Sequence, residues 1–192
     1  IRSCLVGSEM CIRDRHSSFE EVSYLLLMGR LPTKDDLSAF DAQLKEYRAV
    51  PDGVLAILGN LPKDGHPMVA LQTAVAALGT FHQQMDVTDR DGNQAAALRL
   101  IASMPTIVAA FDRIRKGQAI SAPDSELNHA ANFLYMLTGE RPDQKVTRLI
   151  DVCLVLHAEH GFNASTFTGR VVGSTMANPY STIAGAIGSL SG

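Results

Sequence analysis

Apolar residues recur at intervals of three and four along almost the whole chain after residue 16, which is the spacing of one face of an α-helix. The first such segment starts at Ser18, which is expected to form a capping box with Glu21, and it stops at Gly29. A second segment follows Thr33, a residue suited to cap a helix. Further helices are predicted over residues 52–59, from 67, and over 93–116, 127–137, 149–156, 164–176 and 180–190. No run alternates apolar and polar residues as a strand does, so the predicted fold class is all-α.

Three local features add to this helical pattern: a polar loop, a proline within a helix and a stretch of small residues. The stretch from Phe81 to Gly92 is polar and turn-like, which predicts a loop between helices. Pro105 removes one backbone hydrogen bond and should kink the helix that contains it. The segment after Pro67 is rich in Ala and Gly, which lets a neighbouring helix approach closely.

Residues 1–15 show neither a helical nor a strand period and are similar to translated adapter sequence. We therefore expect a non-native or adapter-derived segment here and exclude it from fold reasoning, the alternative being a native start without regular structure. Residues 16–192 are expected to form one domain or part of one.

The amino-acid composition argues against several classes of protein, namely nucleic-acid-binding, disulfide-rich and membrane-spanning proteins. Apolar residues make up 46% and charged residues 19% of the chain, and a net charge of −3 gives no nucleic-acid signature. Three cysteines, Cys4, Cys11 and Cys153, form no disulfide framework, which is typical of a reducing cytoplasm. Polar residues interrupt every long apolar stretch, so no membrane segment is predicted.

The candidate chemistry lies where the apolar run ending at Leu156 meets the glycine at position 161. His157 and His160 are three residues apart and would share one helical face, with Asn163 just beyond. A His-x-x-His pair can hold zinc, but the deaminase signature also needs a Pro-Cys-x-x-Cys that is absent here. The residues alone leave two other interpretations open, a structural role for both rings and a site that donates hydrogen bonds to a carboxylate. His129 is a further candidate for the same cavity, although a packing role is favoured.

A resemblance to a known family favours the carboxylate site. The segment from Leu156 to Thr166, Leu-His-Ala-Glu-His-Gly-Phe-Asn-Ala-Ser-Thr, resembles the oxaloacetate-binding histidine segment of citrate synthases. Other segments match the family in the same order: Ser18–Leu26, Gly29–Thr33, His66–Met68, Asn132–Leu137 and Tyr180–Gly192. The resemblance covers residues 16 to 192.

The resemblance implies condensation of acetyl-coenzyme A with oxaloacetate, followed by thioester hydrolysis to citrate and coenzyme A. His160 would donate to oxaloacetate, with Asn163 and His157 in the same substrate site, and no metal or cofactor is implied beyond coenzyme A as substrate carrier. The helix after His66-Pro67-Met68 would contribute to a homodimer interface, the alternative being packing within the chain. We expect a cytoplasmic enzyme with no nucleic-acid or membrane partner.

The chain departs from the family at its end. Gly192 stands where the family continues into Pro-Leu-His-Gly, so the resemblance implies that no catalytic residue is present and that the small domain and C-terminal part are missing. We therefore expect a fragment of the large helical domain that is inactive alone. A 2-methylcitrate synthase using propionyl-coenzyme A is one alternative, and a non-catalytic helical dimerisation module is another.

Overall fold

The computed structural model describes residues 17–82, 86–159 and 161–191, so the predicted adapter-derived segment lies outside the described residues. The described ranges contain helices and no strand, which confirms the all-α prediction. In chain order the helices are α1 (Phe19–Met28), α2 (Lys34–Glu46), α3 (Asp52–Asn60), α4 (Pro67–Gly79), α5 (Arg90–Arg115), α6 (His129–Thr138), α7 (Gln144–His157), α8 (Ala164–Gly173) and α9 (Pro179–Gly188). A single 3₁₀ turn, Thr80–His82, follows α4.

The helix starts follow from side-chain caps. The Ser18 hydroxyl accepts the backbone N–H of Glu21, while the full reciprocal capping box forms at Thr33 and Asp36. Gly29 ends α1 in the left-handed conformation at φ 74°, where a side chain would be strained. Local sequence therefore sets where these helices begin and end.

One expectation around α5 needs correction, namely the extent of the loop before it. The predicted loop Phe81–Gly92 is shorter than expected, because the Asp89 carboxylate accepts the N–H groups of Asp91 and Gly92 and starts α5 at Arg90. The helix continues through Pro105 to Arg115, and the kink at this proline stays a prediction. By length and composition α5 would suffice to cross a bilayer, but 56% of its apolar stretch is buried, as in the central helix of a globular protein.

The core is built around α5. One apolar cluster joins α5 to α3, α4 and α9, and a second joins it to α1 and α2. Gly79 in α4 lies so close to α9 that an added Cβ would stand 2.9 Å from the Tyr180 Cβ. The predicted close approach at the small residues of α4 thus occurs within the chain, against α9.

Candidate functional site

The predicted site lies where α7 ends and α8 begins. α7 packs against α1 and α6, and its buried side chains are Asp151 and Val155. α8 packs against α9. The backbone between α7 and α8 reverses at Gly161, whose φ of 100° is suited to glycine.

His157 occupies the last position of α7 and its side chain is exposed. Its Nδ1 atom lies 2.6 Å from the carbonyl oxygen of Cys153. Because a carbonyl only accepts, Nδ1 carries the proton in this contact, and the Nε2 atom of a neutral ring is then an acceptor. His157 can therefore donate from Nε2 to a carboxylate only when the ring is protonated.

Asn163 is the N-cap of α8. Its Oδ1 atom accepts the backbone N–H of Thr166 at 2.8 Å and the hydroxyl of Ser165 at 2.6 Å. An amide oxygen only accepts, so a hydrogen bond to a bound carboxylate at this helix start has to come from an N–H group. The helix start itself favours an anion, since its backbone N–H groups and dipole are positive there.

The remaining polar residues of this segment are His160 and Glu159. His160 lies outside the described residues, so its predicted contact with oxaloacetate stays a prediction. The Glu159 carboxylate accepts the N–H of Gly161 at 2.6 Å, which holds the turn. Within the parts that the structure describes, no group of three His, Cys, Asp or Glu side chains is arranged to hold a metal ion.

Arg170 of α8 is a candidate that the sequence analysis missed. Its guanidinium carbon lies 5.5 Å from the ring centre of Phe162, which is 63% exposed and packs edge-on against Phe167. A cation beside this loop would attract a dicarboxylate. The signal in the sequence was present, since Arg170 follows Asn163 by seven residues and so lies about two turns along the same helix.

A large cavity lies elsewhere in the described part of the chain. It measures about 800 Å³ and opens between α1, α5, α6 and the start of α9, with contributions from α7 and α8. Its wall is almost entirely apolar and includes Phe19, Ile101, Met104, Phe133 and Ile183. Neither His157 nor Asn163 belongs to this wall, so the cavity and the predicted substrate site are separate features.

His129 lines this cavity and is 3% exposed, in line with the favoured packing role. Its ring packs on Phe19 with ring centres 4.8 Å apart. Burial, aided by the positive charge of Arg48, lowers the pKa of His129 to about 4, so the ring is neutral at pH 7.

In the described part of the chain, helices without strands pack around a long central helix, and an anion-favouring helix start follows the end of α7 at His157. These features define an all-α protein with a candidate carboxylate site. Comparison with known proteins identifies the family to which this all-α chain belongs. Residues 6–192 match the family model described as citrate synthase, C-terminal domain. The chain belongs to the citrate synthase family.

Individual relatives agree with this assignment. The chain is 51% identical over 182 residues to a citrate synthase of Acidithiobacillus ferridurans, covering 92% of this chain and 47% of that protein. It is 44% identical over 175 residues to a 2-methylcitrate synthase of Mycobacterium tuberculosis, covering 91% of this chain and 44% of that protein. The crystal structure of citrate synthase from Pyrobaculum aerophilum superposes with a TM-score of 0.90 at 40% identity, covering 95% of this chain and 48% of that one. The chain thus spans about half the length of the curated relatives it matches.

Proposed function

We propose that this chain is the oxaloacetate-binding part of an enzyme that condenses acetyl-coenzyme A with oxaloacetate to give citrate and coenzyme A. The observation that carries the proposal is the placement of Asn163 at the start of α8, in the segment that resembles the family's oxaloacetate site. A helix start and a nearby guanidinium, that of Arg170, together suit a ligand with two carboxylates. Because the chain spans about half of its relatives, turnover is proposed for the full-length enzyme, and the 192-residue chain alone is expected to be inactive.

In the proposed reaction the methyl carbon of the acetyl group loses a proton and forms a bond to the ketone carbon of oxaloacetate, while the carbon–oxygen double bond becomes a single bond and its oxygen takes up a proton. Water then cleaves the thioester and releases coenzyme A. The roles proposed for this chain are to hold and orient the keto acid, with His160 donating to it and with Asn163 and His157 beside it. Fixing one reactant in this way lowers the entropic cost of the condensation. No cofactor is proposed beyond coenzyme A as carrier, and the enzyme is proposed to act in the cytoplasm.

The test of the site uses oxaloacetate and this chain. Saturation-transfer NMR detects weak ligand binding, and the wild-type chain is expected to give a signal. Asn163→Asp keeps an acceptor for the N–H of Thr166 but replaces the amide donor by a carboxylate, so it should abolish binding without loss of the α8 cap. Asn128→Asp makes the same change at the cap of α6 and should bind as the wild type does. Equal binding by both variants would refute the site.

Two alternatives to a citrate-forming enzyme are a 2-methylcitrate synthase and a non-catalytic dimerisation module. Relatives described as 2-methylcitrate synthases are 44% identical to the chain, which supports propionyl-coenzyme A as the competing substrate. A thiol-release assay of the full-length enzyme with each acyl-coenzyme A decides between them. The non-catalytic dimerisation module would be favoured if the gene carried no Pro-Leu-His-Gly segment beyond Gly192.

We also propose a homodimer. Val69 of α4 and Phe167 and Val171 of α8 are 52%, 57% and 50% exposed, and both helices pack against α9. Exposed apolar side chains on adjoining helices are typical of a surface covered by another subunit. Sedimentation equilibrium measures the mass directly, and a monomer that persists at high concentration would contradict this proposal for the chain.

A further inference from the structure

The first turn of α1 is tied to two other helices by buried carboxylates. The Asp151 Oδ1 atom, from α7, accepts the backbone N–H of Phe19 at 2.9 Å. The Glu20 Oε1 atom, from α1 itself, accepts the backbone N–H of His129, the first residue of α6, at 2.8 Å. Asp151 and Glu20 are 4% and 5% exposed. Each carboxylate therefore satisfies an N–H group at the start of a helix that is more than 100 residues away in sequence.

The second oxygen of Asp151 is also engaged. Arg148 Nη1 donates one hydrogen bond to the Asp151 Oδ2 atom at 2.6 Å. It donates a second to the carbonyl oxygen of Ser17 at 2.8 Å. Asp151 Oδ1 thus connects α7 to the start of α1 directly, whereas Oδ2 holds Arg148 of the same helix, which in turn donates to Ser17. A buried carboxylate is tolerated only with such partners, and charge-assisted hydrogen bonds are stronger and more directional than neutral ones.

These contacts lie on the helix that delivers the candidate site. Asp151 and Val155 are the two fully buried side chains among those described in α7, so Asp151 lies at the centre of its packed face. His157 follows Asp151 by six residues on the same helix. At a rise of about 1.5 Å per residue this is about 9 Å along the axis, too far for direct contact but short enough for a shift at Asp151 to move the end of the helix.

We propose that Asp151 is a positioning residue, which anchors α7 on the first turn of α1 and thereby places the end of α7 for oxaloacetate. The inference rests on the proposed function of the site. It assigns no chemistry to Asp151. Glu20 completes the arrangement, because it joins α1 to α6, the other helix on which α7 packs.

The test compares three variants of this chain. Asp151→Ala removes both oxygens, whereas Asp151→Asn keeps an oxygen that can accept the N–H of Phe19. The matched control is Asp143→Ala, which removes the N-terminal cap of the same helix and touches only Lys145 and Val146. Hydrogen exchange of the amides from Leu154 to His157 reports how stably the end of α7 is held, and saturation-transfer NMR reports oxaloacetate binding at the site.

Asp151→Ala is expected to speed exchange at the end of α7, because it removes two hydrogen bonds that hold the helix, and to weaken oxaloacetate binding about tenfold through the displaced helix end. Asp151→Asn should recover most of both, and Asp143→Ala should change neither at that end of the helix. Binding and exchange that are as in the wild type in Asp151→Ala overturn the inference while the proposed function stands. If the wild-type chain does not bind oxaloacetate, the proposed function fails instead, and exchange still decides whether Asp151 anchors α7.

Discussion

His129 offers the sharpest test of the packing between α1 and α6. Its ring is buried against Phe19, and its pKa is lowered to about 4 by burial and by Arg48. The neutral ring is thus favoured in the folded state, whereas the unfolded chain takes up a proton near the ordinary histidine pKa of about 6.5. The stabilisation is complete above that ordinary pKa and is lost as the pH falls toward the folded-state pKa.

The size of the effect follows from the two pKa values. A difference of roughly 2.5 pKa units corresponds to about 3 kcal/mol once both states are protonated. At pH 5 linkage gives a loss of about 2 kcal/mol relative to pH 7, at a pH where most carboxylates are still ionised. This is a large fraction of the stability of an ordinary domain.

His129→Phe removes the titration and keeps an aromatic ring against Phe19, and the adjoining cavity has room for the larger ring. The backbone N–H of residue 129 still donates to Glu20. Urea unfolding followed by circular dichroism should show that the variant loses about 2 kcal/mol less than the wild type between pH 7 and pH 5. Met136→Leu, a buried change in the same helix without a titratable group, should follow the wild type. Equal pH dependence of His129→Phe and the wild type would refute a buried neutral histidine.

Two further predictions concern the core. Gly79→Ala should destabilise the chain by about 1 to 3 kcal/mol, because its Cβ would meet Tyr180, whereas Gly59→Ala has open space in α3 and should stabilise it by about 0.5 to 1 kcal/mol. Equal urea midpoints for the two variants would contradict the close approach of α4 and α9. Leu58→Ala should cost about 2 to 5 kcal/mol because Leu58 is fully buried, while Ile57→Ala, at a position that is 37% exposed, should cost clearly less in the same assay.

Much of the fold was predictable because capping residues close to each boundary determine where a helix begins and ends. Thr33 caps α2 and Gly29 closes α1, and each acts within a few residues of its own position. The start of α5 was misplaced for the same kind of reason. The first turn of a surface helix is polar, so Arg90, Asp91 and Gly92 read as a loop unless Asp89 is recognised as the cap.

Contacts between distant segments were not predictable. The bond from His129 to Glu20 and the bond from Phe19 to Asp151 join residues that no periodic pattern relates. The same limit applies to the candidate site. Sequence named His157, His160 and Asn163 as polar groups on one turn, but it could not show that the Asn163 oxygen is committed to a cap or that His157 Nδ1 meets a carbonyl.

The two helices that border the candidate site pack against different parts of the molecule. α7 is held by α1 and α6, whereas α8 is held by α9, which rests on α4. These two groups of helices meet through α5, which contacts α4, α6 and α9. The turn with Gly161 therefore joins two separately packed units, and the distance between His157 and Asn163 depends on both. A substitution in the buried face of α5 can thus change ligand binding without touching the turn, whereas one at an exposed position in the first turn of α7, such as Lys145, should leave ligand binding unchanged.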